Sequence, residues 1–69
     1  MKCSDISRED IVDRLYEVSL KNNTWFNKRK VLAVKCYDTN ISSEFIVYLP
    51  RRVVRVIFYN NGKTTVVVT

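Results

Sequence analysis

Residues 52–69 read RVVRVIFYNNGKTTVVVT. Two runs rich in Val, Ile, Thr and aromatic residues flank Asn61-Gly62, and a turn dipeptide between two β-rich runs is the strongest short-range hairpin signal. A two-residue primed turn needs positive φ at both central positions, which Asn and Gly tolerate best. On that turn Asn60 faces Lys63, and the ladder climbs through Tyr59 with Thr64, Phe58 with Thr65, Ile57 with Val66, Val56 with Val67 and Arg55 with Val68. One face then holds Val54, Val56, Phe58 and Val67. The other holds Arg51, Arg55, Tyr59 and Thr64 beside Val53, Ile57, Val66 and Val68. That second face is too apolar for water alone and too cationic for a core, which predicts a contact surface.

Upstream, KVLAVKCY (30–37) and EFIVYL (44–49) have the same strand-like composition. Pro50 has no N–H to give a ladder, so it belongs in the connection between the second and third strands or on an edge. Before residue 22 the pattern changes period: Ile11, Val12, Leu15 and Val18 fall on one side of a helix with Tyr16 at the flank, and Asp10, Asp13, Arg14, Glu17 and Lys21 share the other. Ser7 and Asp10 have capping-box spacing with Asp in place of Glu, and the acids of the first turn suit the positive end of the helix dipole. The helix is expected at about residues 8–21, ended by Asn22-Asn23-Thr24, with Leu20 off the apolar side. The fold class is therefore α+β: one N-terminal helix packed on a four-stranded antiparallel β-meander, a single domain spanning 1–69. An oligonucleotide-binding barrel is the alternative architecture, but it needs five strands and sharper bends than one glycine supplies.

Charge is distributed unevenly. Residues 1–20 carry three cations against five acids, whereas from residue 21 onward nine cations stand against Asp38 and Glu44. Such asymmetry points to an anionic partner for the basic part or to electrostatic docking of the chain's unlike ends. The cations cluster beside rings: Trp25 and Phe26 precede Lys28, Arg29 and Lys30, Arg51 and Arg52 follow Pro50, and Arg55 shares a strand face with Tyr59. Cations neutralise phosphates and exposed rings stack on unpaired bases, so these nine residues are the candidate binding set. The reading is a small nucleic-acid-binding protein, for DNA or RNA and preferably single-stranded, because the acidic exposed side of the helix would be repelled by a duplex groove. The competing structural roles are closure of a small core by the rings and solvated loops for the cations.

A second function class uses the same residues differently. Arg, Tyr and Trp are the usual anchors of protein interfaces, so an interaction or inhibitor module docking on an acidic partner protein, of the kind viruses and phages encode as accessory proteins, is the alternative. Catalysis is not expected. The chain has no histidine, its single glycine excludes a phosphate-cradling loop, and the helical acids Asp10 and Glu17 have Arg14 and Lys21 four residues on to pair with. No cofactor or metal is expected either, since two cysteines without histidine cannot complete a zinc site. Cys3 and Cys36 are expected as reduced thiols, Cys36 as a small apolar residue in a strand, in a cytoplasmic or nuclear protein that is neither secreted nor membrane-spanning. Finally, Lys63–Thr69 has no charge after Lys63 and a small core gains from extra burial, so a homodimer through the sheet is expected.

Overall fold

In the computed structural model, which describes residues 8–69, one helix packs across one face of a four-stranded antiparallel sheet. Helix α1 spans Arg8–Lys21; a single turn of 3-10 helix spans Lys28–Lys30; β1 is Ala33–Asp38, β2 is Ser42–Tyr48, β3 is Val53–Tyr59 and β4 is Thr64–Val68. The strands lie in chain order, so β1 and β4 are the sheet edges. Within this fold no helix among the described residues is long and apolar enough to cross a membrane. Ser7, the expected cap of α1, lies outside the described residues.

The helix end follows from Asn23, whose φ of 59° places it in the left-handed region that Asn tolerates better than most residues. Thr24 N–H donates to the Ser19 carbonyl and Asn23 N–H to that of Leu20, at 2.8 and 3.1 Å, which is the Schellman pattern. The chain reverses there and drives Phe26 beneath the helix. Ile11, Leu15 and Ser19, spaced four residues apart, are the buried stripe of α1; they meet Phe26, Phe45, Val47, Val54 and Val56, with Val34, Cys36, Phe58 and Val66 packed around them.

The last hairpin differs from the expected one in a single residue. The Tyr59 carbonyl accepts from Gly62 N–H at 3.0 Å and Tyr59 N–H donates to the Lys63 carbonyl at 2.8 Å. Asn60, Asn61 and Gly62 therefore form a three-residue loop, in which only Gly62, with φ of 90°, is left-handed. This is a turn followed by a glycine bulge, and it shifts the register to Phe58 with Thr64, Val56 with Val66 and Val54 with Val68. A shift of one residue exchanges the faces of β4, so Val66 joins Val54, Val56 and Phe58 under the helix while Val67 moves to the open side. The Asn60 side chain explains why the longer loop wins. Its amide donates to the Asn40 carbonyl at 2.9 Å and its backbone N–H to that of Ile41 at 2.8 Å, tying this turn to the β1–β2 turn.

Cys36 also departs from expectation. It is held in a disulfide rather than standing as a reduced thiol, and the chain's other cysteine, Cys3, lies outside the described residues.

Candidate nucleic-acid interface

Two loops at one end of the sheet build the most coherent of the expected binding surfaces. The first runs from Trp25 to Lys30, where the Asn27 side chain accepts from Arg29 N–H at 2.9 Å and caps the 3-10 turn. The second is the β2–β3 connection, closed by Leu49 N–H donating to the Arg52 carbonyl at 3.0 Å across Pro50 and Arg51. Between them lies an open cleft of about 370 Å³ lined by Trp25, Asn27, Lys30, Leu49, Pro50, Arg51 and Arg52. Apolar area from Trp25, Leu49 and Pro50 is thus enclosed by three cations.

Trp25 is 56% exposed, yet its indole is not loose: Nε1–H donates to the Tyr16 hydroxyl at 3.0 Å. The polar edge of the ring is tethered to the helix while more than half of its surface meets water. A pre-oriented ring loses less entropy on stacking than a free one. The adjacent Phe26 has the opposite fate. It is fully buried and packs edge-on to Tyr16, centroids 5.5 Å apart, so it belongs to the core and not to a surface.

The remaining expected residues are dispersed. Lys28 turns towards the helix, 3.2 Å from the Asp13 carboxylate and with its ammonium 5.0 Å from the Tyr16 ring centre, so its charge is already engaged. Arg29 is exposed on the 3-10 turn but does not line the cleft. Arg55, on the open sheet face, forms an ion pair with Glu44 on β2, one of the two acids of the basic segment. Tyr59 shares that face but ends β3, roughly 20 Å from Arg52 at about 3.3 Å per residue, beside Ile41 and Asn61.

The open face carries more than the expected Val53, Arg55, Ile57 and Tyr59 of β3. The register adds Lys35 and Tyr37 of β1, Glu44, Ile46 and Tyr48 of β2, and Thr65 and Val67 of β4. Lys35 lies over the Tyr48 ring, 5.6 Å from its centre. Its two internal cations are therefore paired or seated on a ring. Sequence reasoning missed Leu49 and Pro50 as cleft walls; Pro50 was visible as a turn residue, but nothing in the local pattern showed which loop would face it. Among the described residues no group of three or more His, Cys, Asp and Glu comes together as a metal site. Comparison with protein-family models, with curated proteins and with solved structures finds no match, so the geometry of this cleft is what bears on function.

Proposed function

We propose that the protein is a non-enzymatic binder of single-stranded nucleic acid and that the Trp25 cleft is its binding site. The observation that carries the reading is the convergence of one exposed, tethered indole with Lys30, Arg51 and Arg52 around a single cleft. Trp25 stacks on an unpaired base, and the three cations hold the flanking phosphates. Single strands are favoured because a base inside a duplex offers no free face to the ring, and because Asp10, Asp13 and Glu17 place negative charge along the helix.

With Lys28 and Arg55 engaged by acids, about three phosphates are neutralised, and log K falls with log salt at a slope near −2, from roughly −0.7 per contact. Fluorescence anisotropy of labelled single strands at several salt concentrations tests this. Arg51→Ala with Arg52→Ala should abolish most of the binding, and a flat salt dependence or unchanged affinity in that double variant would refute it. The compartment belongs to the same proposal: nucleic-acid binding implies cytoplasm or nucleus, and a disulfide at Cys36 implies oxidising surroundings.

One observation favours a second reading, docking on a partner protein. The open sheet face displays Tyr37, Ile46, Tyr48 and Ile57 with its internal charges balanced by Glu44–Arg55, a composition closer to a protein interface than to a phosphate track. Failure to bind any single strand at low salt, with the fold intact, would shift the assignment to this class.

A further inference from the structure

We propose that the protein forms a two-fold symmetric dimer by antiparallel pairing of β4 with β4 of a second copy, centred on Val66. This goes beyond the binding reading and does not depend on it.

The outer edge of β4 is open among the described residues, because the sheet ends there. Val53 and Thr69 exchange both backbone bonds at 2.9 Å, which fixes the alternation of the ladder: Thr65 and Val67 turn their amides and carbonyls inward to β3, and Thr64, Val66 and Val68 turn theirs outward. A strand with outward groups of this kind normally carries a lysine, a proline or a bulge that blocks pairing. Thr64–Val68 carries none. The other edge is different: β1 bears Lys35 and Asp38, and its Cys36 is in a disulfide.

The strand also matches itself. When Val66 faces Val66 of a second copy, Thr64 faces Val68 and Val68 faces Thr64, so all the outward groups of both strands find partners in one register. Sliding by two residues in either direction leaves at least one outward residue of each chain unpaired. No charge opposes another in this arrangement, and the half-exposed side chain of Val68 gains cover. Opposed residues of an antiparallel pair point to the same side, so both helices lie on one face of a continuous eight-stranded sheet. The two open faces merge on the other. An isologous contact of this kind closes on itself and leaves the two β1 edges as the sheet ends among the described residues.

The test uses the full chain with its disulfide intact. In sedimentation equilibrium the wild type should move from the 8.1 kDa monomer to twice that mass as concentration rises through the micromolar range. Across the interface Thr65 lies directly opposite Val67 of the second copy on the open face. Thr65→Glu with Val67→Glu therefore sets like charges against each other and should hold the protein monomeric, while Thr65→Lys with Val67→Glu sets opposite charges there and should keep the dimer. Amide exchange supplies an independent readout that needs no variant: the N–H groups of Thr64, Val66 and Val68 should become protected as concentration rises. A wild type that stays monomeric throughout, a doubly acidic variant that dimerises like the wild type, or no concentration-dependent protection of those amides would each overturn the proposal.

Discussion

On the helix-covered face of the sheet Phe45, Val47, Val54 and Val56 are fully buried, whereas at the alternate positions of the same strands Glu44, Ile46, Arg55 and Ile57 are only half-buried. Apart from one ion pair the two sets differ little in residue type. What separates them is the cover: Ile11, Leu15 and Phe26 close over the first, and no described residue closes over the second. Alternation assigns residues to faces, while the helix and the Trp25–Phe26 loop decide which face becomes a core. The uncovered face manages its polarity internally, Glu44 neutralising Arg55 and Tyr48 lying under Lys35.

The largest effect that tests this contrast is expected at Phe26. Phe26→Ala empties the centre of the covered face and should cost about 3–5 kcal/mol, enough to unfold much of a small domain, as read by urea titration with circular dichroism. A loss below about 1 kcal/mol would show that the covered face is not the core described here.

Ser19 offers a change of opposite sign. Its hydroxyl is buried in the covered layer without a hydrogen-bond partner among the described residues, so Ser19→Ala removes an uncompensated desolvation and improves helix propensity. The midpoint should rise by an amount worth about 1 kcal/mol. On the open face, Glu44→Gln leaves the Arg55 guanidinium a neutral partner; with these side chains 19% and 43% exposed, solvent screening limits the loss to under about 1 kcal/mol, and it should shrink further in high salt. Trp25→Ala should move stability least, by a few tenths of a kcal/mol from its Tyr16 bond and partial burial, while removing the stacking contribution of about 1–3 kcal/mol from single-strand binding. Equal losses of stability at Trp25 and Phe26 would erase the distinction between the adjacent rings.

Much of this was legible in the sequence, for identifiable reasons. The 3.6-residue spacing of Ile11, Leu15 and Val18 and the β-rich runs gave helix and strands, because both periods are written in neighbouring residues. Ser42 and Ser43 open β2 without any strand signal of their own. Their composition speaks for a loop, and they are held there by contacts distant or lateral in sequence: pairing with Tyr59 and Phe58, Ser43 Oγ–H donating to Asp38 at 2.7 Å, and the Thr39 and Ser42 hydroxyls bonded at 2.9 Å. The register of β4 failed for a similar reason, since the Asn60 contact with Asn40 that favours the longer turn spans twenty residues. Of the binding set, Trp25, Lys30, Arg51 and Arg52 come together and Phe26, Lys28, Arg29, Arg55 and Tyr59 do not. Charge and ring content are local properties, but engagement of Lys28 by Asp13 and of Arg55 by Glu44 depends on the finished fold.

Because every strand pairs with the next along the chain, the route to this fold is short as well as the sheet simple. The links at Thr39–Ile41, Leu49–Arg52 and Asn60–Lys63 close loops of a few residues, whose searches take well under a microsecond for segments of about ten residues. Hairpins can therefore form independently, on a scale of about 1–10 μs, and the helix needs only to swing over the central β3 to complete the core. No parallel crossover delays the process. A chain of this contact pattern should refold in milliseconds or faster with a single exponential, leaving the uncharged β4 edge to be covered in a separate, concentration-dependent step.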